Sequence, residues 1–436
     1  MSWQRPRQKL FLTAGLDLAG TFLAAALIDQ TSGRVQLFSQ PMWVLLAGML
    51  FLLFGWLLGS YTVLRWPYVP LRLLVLRLSY TLLVTMVAMV LMVWLSSASA
   101  DLAIAHRTLL TLLMLLQGSW SLLLRVLMRR RMRRSPELRW QLMAGPSDAE
   151  RVDQEWRRNP FVLPPQLLSS DVAPESSSRG LALGSGHDLS PQQRALVREL
   201  TQRGIPFTSL ETLAEQQLER LPPALLPDEW LRFRDLPWSS RLSVARQLKR
   251  VADVLVSGVL LLLATPLLLL ACLAIWLEDR GPVIYSQTRT GWMGRPFELY
   301  KLRTMRVADP SDPPLWTLPR DSRITRIGQL LRRTRIDELP QLLNVLRGEM
   351  SLIGPRPERP EFDVQLEATI PHYRTRYWMP PGLSGWAQVC APYAASLKDA
   401  EHKLSYDLYY LRHFSIALDL LILTKTIKTV VGAKGR

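Results

Sequence analysis

Val259-Leu260-Leu261-Leu262-Leu263-Ala264-Thr265-Pro266-Leu267 lies at the centre of an apolar run from Val251 to Leu277. As a straight helix rising ~1.5 Å per residue, that run would reach across the ~30 Å hydrocarbon core of a bilayer. Pro266 opposes a crossing. A mid-helix proline deletes a backbone hydrogen bond and kinks the helix, at ~3 kcal/mol unless compensated, and leaves arms of only ~15–21 Å on either side. Cations flank both ends, Lys249 and Arg250 before the run and Arg280 after it. The run therefore reads as a re-entrant hairpin over 250–277, a bent helix that enters one leaflet and returns to the same face, with an ordinary fifth span as the alternative. The Thr265 hydroxyl is expected to satisfy a carbonyl freed by the proline. Asp253 is expected to pair with Lys249 or Arg250 within a turn, which lowers its desolvation cost.

Towards the N-terminus, four further apolar stretches of membrane-spanning length occur at Phe11–Ile28, Trp43–Tyr61, Leu71–Leu95 and Leu109–Leu127. Arg5, Arg7 and Lys9 precede the first span, Arg65 and Arg72 lie by the second loop, and the run Arg129, Arg130, Arg131, Arg133 and Arg134 follows the fourth. The positive-inside rule then places the N-terminus and everything after the fourth span in the cytoplasm, with the arginine run as a stop-transfer and anionic-lipid anchor. Asp17 inside the first span reads either as a functional charge or as one that reaches polar surroundings.

Composition narrows the function classes. The 436 residues carry 53 Lys+Arg against 36 Asp+Glu, a formal charge of +17, which predicts an anionic partner. With only Cys272 and Cys390 there is no disulfide framework or cysteine-based zinc site. Dense arginine alone is compatible with nucleic acid, but aromatic residues are not interleaved as a single-strand platform requires, so no nucleic-acid partner is expected.

Between the membrane spans and the apolar run, Leu163–Pro165 and Ser169–Ser190 are rich in Pro, Ser and Gly and read as loop or linker. Ser190-Pro191 opens a helix that Gly204 ends; Ile205–Leu210 reads as a strand and Glu211–Leu221 as another helix. This is an α/β fragment. Met143-Ala144-Gly145-Pro146 is not a phosphate-cradling glycine fingerprint, so a structural, dimerisation or regulatory module is expected.

After residue 280 two strands are expected, Gly281 through Gly291 and Phe297–Met305, the second ending in Lys301-Leu302-Arg303-Thr304. Arg323, Arg326, Arg332, Arg333 and Arg335 come next, and arginine forks suit diphosphate recognition. Ile336 through Gly348 reads as one helix with Asp337 at or next to the N-cap, because Pro340 is tolerable only in the first turn. A lone Asp there would be an ordinary cap. A second carboxylate, Glu338, ringed by cations, points instead to an ionised Asp337 able to attack phosphorus, with Glu338 and phosphate oxygens holding Mg²⁺. Two Pro-braced loops, Gly354-Pro355-Arg356-Pro357-Glu358 and Pro380-Pro381-Gly382 through Gln388, read as substrate walls. Phe414–Val431 is apolar on one side, with Asp419, Lys425 and Lys428 on the other, and is expected to lie along the membrane surface, with a plain core helix as the alternative.

From about 246 to 432 the chain resembles the bacterial sugar transferase family, the monotopic polyprenyl-phosphate phosphoglycosyltransferases. The matching residues are Lys249-Arg250 with Asp253, Thr265-Pro266, Gly281-Pro282-Val283 with Gln287, Arg289 and Gly291, Tyr300 through Met305, Asp337-Glu338-Leu339-Pro340-Gln341, Gly354 through Glu358, and Pro381-Gly382 with Gly385-Trp386-Ala387-Gln388. The four-span start resembles the long, exopolysaccharide-type branch. The resemblance implies that a UDP-sugar loses UMP while its sugar-1-phosphate passes to Asp337, and that undecaprenyl phosphate then takes it, giving a lipid diphosphate sugar at the cytoplasmic face of the bacterial inner membrane. It implies Glu338, with Asp337, as Mg²⁺ ligands. It implies Lys301, Arg303, Arg323, Arg356, Gln287, Arg289, Arg376 and Gln388 as substrate-binding residues. Lys249, Arg250, Asp253, Thr265 and Pro266 would build the hairpin. One departure stands out: Cys390-Ala391-Pro392 replaces the family's usual Asn-Gly-Arg, so the role of that arginine passes elsewhere or is unfilled.

The expected architecture is an α-helical transmembrane bundle over 1–135, a cytoplasmic α/β middle domain with a flexible linker over 136–240, and a mixed α+β catalytic domain with the re-entrant helix over 241–436. Expected partners are the UDP-sugar, undecaprenyl phosphate and the lipid bilayer. Two-fold association is compatible with the membrane and middle regions, though no motif specifies it. The alternative reading is a non-catalytic membrane scaffold of polysaccharide machinery.

Overall fold

A computed structural model of the chain describes residues 4–32, 37, 40–61, 70–95, 107–134, 139–159, 162–168, 180–184, 191–227, 230–233, 236, 238–239, 243–306, 323–391 and 396–431. The chain forms two compact units, one built by the helices up to residue 134 and one by the elements beyond residue 141.

The first unit consists of α1 (Gln4–Ser32), α2 (Pro41–Leu57), α3 (Leu71–Leu95) and α4 (Arg107–Arg134). α1 and α3 each pack on both α2 and α4, which closes the four into a bundle. Leu10–Thr31, Leu71–Leu95 and Thr108–Arg131 are long and apolar enough to cross a membrane, while the apolar α2 is shorter, at 17 residues. Ala24, Ala25, Ile28, Ala47, Met89 and Leu113 fill the interior. Phe11, Leu23, Leu83, Leu91 and Leu115 face outward, the pattern of helices surrounded by lipid. Asp17 turns out to be fully buried. It pairs with Arg125 of α4 at 3.0 Å and accepts from the hydroxyls of Tyr61 at 2.7 Å and Ser121 at 2.8 Å. Paired and hydrogen-bonded in this way, the charge is tolerated inside the bundle and ties α1 to α4. Arg65 and the loop 96–106, which bear on the orientation of the spans, lie outside the described residues.

The second unit begins with an α/β module: β1 (Trp140–Met143), α5 (Pro146–Arg157), β2 (Gln166–Leu167), β3 (Gly180–Leu183), α6 (Pro191–Gln202), β4 (Phe207–Ser209) and α7 (Leu210–Leu218). The sheet order is β2-β1-β3-β4, with β1/β2 and β3/β4 parallel. The helix after Ser190 and the strand and helix around Ser209 fall where expected; Ser209 caps α7 by accepting from the Thr212 amide. β3 lies inside the segment read as linker, and the remainder of Ser169–Ser190, apart from Gly184, lies outside the described residues. Residues after α7 join the C-terminal core. Leu221 and Leu226 pack with Tyr373, Tyr377 and Leu408, and Leu236 and Trp238 with Trp386 and Phe414.

Next comes α8 (Val244–Asp279), a 36-residue helix with Pro266 inside it. Both ends are held by the same unit and the middle is not. Near the start, Arg250 donates to the carbonyls of Val345 and Leu346 at 2.6 and 2.8 Å. Near the end, Ala271 and Ile275 pack with Leu302 and Leu331, and Asp279 pairs with Arg303. Between them Leu262, Leu263, Leu269 and Leu270 are exposed. Two local expectations are corrected. Thr265 Oγ1 donates to the Leu261 carbonyl at 2.7 Å, not to the Leu262 carbonyl that Pro266 leaves free, because a threonine hydroxyl reaches back four residues along its own turn. Lys249 pairs with Asp419 at 2.7 Å, while Asp253 accepts from the Leu352 amide at 3.0 Å. The distant carboxylate and the strand amide win because they meet α8 on its buried face.

The catalytic candidates sit on the remaining elements: β5 (Ile284–Thr290) and β6 (Pro296–Leu302) as an antiparallel hairpin, α9 (Arg326–Thr334), a 3₁₀ turn at Ile336–Glu338, α10 (Gln341–Arg347), β7 (Ser351–Ile353), α11 (Pro360–Thr369), β8 (Gly382–Ser384), α12 (Trp386–Cys390), α13 (Leu397–His413) and α14 (Ile416–Val431). On α14, Asp419 and Thr426 bond inward, to Lys249 and Ser384, while Ile416, Leu420 and Ile427 are exposed. A water-facing helix would turn these sides the other way.

Candidate active site

Alternation along β6 puts Phe297, Leu299 and Lys301 on one face. Phe297 and Leu299 pack with Val345 and Met350, so that face looks onto α10 and carries Lys301 towards the turn that precedes it. The turn departs from the single helix expected over Ile336–Gly348. Pro340 has no N–H to give the Ile336 carbonyl, which takes the Leu339 amide instead, at 3.2 Å. The result is a 3₁₀ turn carrying Asp337 and Glu338, entered through Arg335 in the left-handed region (φ 61°), with α10 starting only at Gln341 and closed by Gly348 (φ 85°).

Glu338 Oε1 accepts from Arg356 Nη2 at 2.7 Å and from Arg335 Nη1 at 3.3 Å. Burial alone would raise its pKa, but Arg356, Lys301 and Arg335 outweigh burial and hold it down at about 2. Asp337 behaves oppositely. It is 7% exposed, its Oδ1 is buried without a hydrogen-bond partner, and burial with the neighbouring Glu338 charge raises its pKa to about 6 against the pull of Lys301, Arg332 and Arg335. Lys301 is lowered to about 8, by burial and then by Arg356, with the two carboxylates opposing. Adjacent carboxylates in one turn thus have different tasks open to them. Glu338 is a fixed anion tied to arginine; Asp337 is an under-bonded group that ionises near neutrality.

Arg356 is aimed by the two Pro-braced loops, which the fold joins. β7 and β8 pair in parallel, Ser351 with Gly382 and Ile353 with Ser384. The join needs glycine: a Cβ on Gly382 would lie 2.0 Å from the Gly354 nitrogen. Beneath the loop, Arg376 is buried. It donates to the Arg356 carbonyl at 2.9 Å and to Asp407 of α13 at 3.0 Å.

The other substrate candidates are spread around this cluster. Arg289 donates to Gln287 at 2.7 Å and to the Pro357 carbonyl at 3.3 Å, which places the Gln287–Arg289 pair beside the Arg356 loop. Arg303 is engaged by Asp279 at the end of α8. The Arg323 carbonyl accepts from the Arg306 amide at 2.9 Å, next to the Met305–Ile324 bridge. Gln388 donates to the Leu383 carbonyl at 3.3 Å, within its own loop. Lys425 of α14 brings its ammonium 3.5 Å from Cys390 Sγ and 4.2 Å from the Trp386 ring centroid, while Pro392, where the resemblance expects an arginine, lies outside the described residues. Sequence reasoning gave no role to Asp407 or Gln341. Asp407 had a usable signal, an acid on the apolar face of α13 between Leu404, Leu408 and Leu411.

Among the described residues no group of three or more His, Cys, Asp or Glu side chains is placed to hold a metal ion. Among these residues at most two carboxylates are placed to share a cation. That suits Mg²⁺, which keeps waters and draws further ligands from substrate phosphates.

Residues 244–433 match the family described as bacterial sugar transferase. The UDP-N-acetylgalactosamine-undecaprenyl-phosphate N-acetylgalactosaminephosphotransferase of Aeromonas hydrophila is 44% identical over 188 residues, 43% of this chain and 44% of that protein. The UDP-glucose:undecaprenyl-phosphate glucose-1-phosphate transferase of Caulobacter vibrioides is 43% identical over 185 residues, 42% of this chain and 69% of that protein. An exopolysaccharide production protein of Rhizobium leguminosarum is 41% identical over 187 residues, 41% of this chain and 93% of that protein. The alignment thus spans less than half of the Aeromonas relative and nearly all of the Rhizobium one. With both carboxylates, the arginine loop and the apolar helix inside the matched segment, the chain belongs to the bacterial sugar transferase family.

Proposed function

We propose that the protein transfers a sugar-1-phosphate from a UDP-sugar to undecaprenyl phosphate through a covalent phosphosugar on Asp337, an early membrane step of surface-polysaccharide synthesis. The observation that carries this reading is the under-bonded Asp337 beside an arginine-held Glu338, with Lys301 acting on both. A carboxylate oxygen of Asp337 attacks the phosphorus that bears the sugar; the bond to the bridging oxygen breaks and UMP leaves with the electron pair. The phosphate oxygen of undecaprenyl phosphate then attacks the same phosphorus, releases the Asp337 carboxylate and gives the lipid diphosphate sugar. Lys301 and Arg356 would neutralise charge that grows on the phosphoryl oxygens. Mg²⁺ fits through Glu338, whose two hydrogen bonds both fall on Oε1 and leave Oε2 for a cation; when bound it would stabilise the departing UMP phosphate. Asp337, with Oδ1 closed off, keeps its other oxygen for attack.

The test is UMP release by the purified protein with Mg²⁺, undecaprenyl phosphate and a panel of UDP-sugars, beside Asp337→Asn. Release with one or two sugars that is lost in the variant supports the reading. A folded wild type that releases nothing with any donor would favour the scaffold instead. The pH profile is a second check. Asp337 must be ionised to attack, so kcat/KM is expected to rise through about 6; Lys301 must be protonated to hold phosphate, so it falls above about 8. A profile flat from pH 5 to 9 would remove these two groups from the rate.

We further infer that α8 is the re-entrant element. Its support is the anchoring of both ends on one unit. Val345, which accepts from Arg250, packs on Leu299, and Leu302 packs on Ala271. Leu299 and Leu302 are ~10 Å apart along the strand, whereas a straight helix would separate Arg250 from Ala271 by ~32 Å. In a protein with Cys272 and Cys390 replaced by serine, cysteines introduced at Ser243 and Arg280 should both be labelled from the cytoplasmic side. Labelling of one end from each side would mean that α8 crosses.

A further inference from the structure

Two buried polar atoms at the entry to α10 lack hydrogen-bond partners, and they are complementary: the acceptor Oδ1 of Asp337 and the donor Nε2 of Gln341. Gln341 is 2% exposed. An unmet buried amide costs ~1–3 kcal/mol, so packing alone would favour an apolar residue of the same length. Two independent observations place this amide against the carboxylate pair. Glu338 N bonds back to Arg335 O at 3.2 Å and Leu342 N to Leu339 O at 3.0 Å, so the chain stays helical through the turn, and residues three and four apart on a helix share a face, which puts Gln341 on the side of Glu338 and Asp337. On the facing strand, Leu299 packs on Val345. One turn back from Val345 is Gln341, and two residues on from Leu299 along the same face is Lys301, whose charge acts on Asp337 and Glu338.

The acceptors at this point are not equal. Glu338 Oε1 is already taken by Arg356 and Arg335, whereas Asp337 Oδ1 is unmet. We propose that Gln341 is a positioning residue for Asp337: its amide swings to donate to Oδ1 when the carboxylate is ready to react, which fixes the carboxylate plane and turns the other oxygen towards the phosphorus. This rests on the reading of Asp337 as the nucleophile. The hydrogen bond adds no charge to the site, so it orients the carboxylate without the loss of nucleophilicity that a cation bound to Oδ1 would impose.

The experiment compares full-length wild type, Asp337→Asn, Gln341→Met and Gln341→Leu for UMP release and for Tm in the same detergent or nanodisc. Both Gln341 variants should keep Tm at or above wild type, since they remove an unmet amide from a buried position. Both should lower kcat about tenfold with KM within about twofold, the pattern of an interaction made on the way to the transition state. Wild-type kcat in both folded variants would overturn the proposal and leave Gln341 as packing or as the partner of a buried water. A raised KM with unchanged kcat would also overturn it, by assigning the amide to ground-state binding. If one variant loses its fold, the other carries the comparison. An active Asp337→Asn protein would defeat the parent reading and this one together, and is distinguished by that arm alone.

Discussion

Asp337→Asn is expected to lose at least ~10³-fold of UMP release while the protein folds as well as before. Under the proposed mechanism, replacing the carboxylate by an amide leaves shape and volume almost unchanged but removes the oxygen that would form the covalent bond, so the loss would fall on the chemical step. Stability should move the other way. A carboxyl whose folded pKa is about 6, above its ordinary value of 3.8, binds its proton more tightly in the native state than in the unfolded one. The contribution of this group to native stability is therefore greatest while it is protonated and falls as pH rises from about 4 to about 6, by on the order of 2–3 kcal/mol. Above pH 7 the wild type bears that cost in full and the asparagine variant does not. A Tm at pH 8 equal to or above wild type, together with the loss of UMP release, would mark Asp337 as a group held under strain for reaction. A Tm lowered by several degrees would mark it as structural, and the chemistry would then have to be sought elsewhere in the cluster.

Much of this site is legible in the sequence because its signals are local. Gly281 through Gly291 and Phe297 to Met305 announce a hairpin, and a carboxylate pair among arginines before a proline marks the turn that carries Asp337 and Glu338. The features that escape are those only tertiary contact supplies. Pro340 is compatible with a helix start, yet its missing N–H also pushes the preceding turn to 3₁₀ geometry, so that α10 begins only at Gln341. The two Pro-braced loops look like separate walls in the sequence and prove to be adjacent strands of one small sheet. Lys249 has an acceptable partner nearby in the chain and takes Asp419, 170 residues away. β3 is hidden by Ser- and Gly-rich flanks that also fit a linker. The apolar run itself is plain in the sequence; the anchoring of its two ends is not, because that depends on β6 and α10 meeting both.

Arg356→Ala should lower kcat/KM by about 10²–10³-fold, and Arg356→Lys should recover less than tenfold of it. The reason lies in how many tasks the guanidinium performs. It donates to Glu338 Oε1 at 2.7 Å through Nη2, it is the foremost cation holding Glu338 at a pKa of about 2, and its side chain stays 36% exposed. A planar fork can serve a carboxylate and a phosphate at once, whereas a lysine ammonium is a point charge that must choose between them. Loss of one preorganised donor to developing charge costs ~2.7–4 kcal/mol, which sets the expected range. The buried Arg376–Asp407 pair holds the Arg356 carbonyl, so the fork is fixed from below and little reorganisation is needed when charge builds up. Kinetics can separate the two contributions. If Arg356 acts mainly on charge that appears as UMP leaves, kcat falls and UDP-sugar affinity is nearly kept; if it acts mainly by grasping the ground-state diphosphate, KM rises at constant kcat. The bond to Glu338 favours the first outcome, since a guanidinium already paired in the resting site gains most when the neighbouring oxygens take on further negative charge.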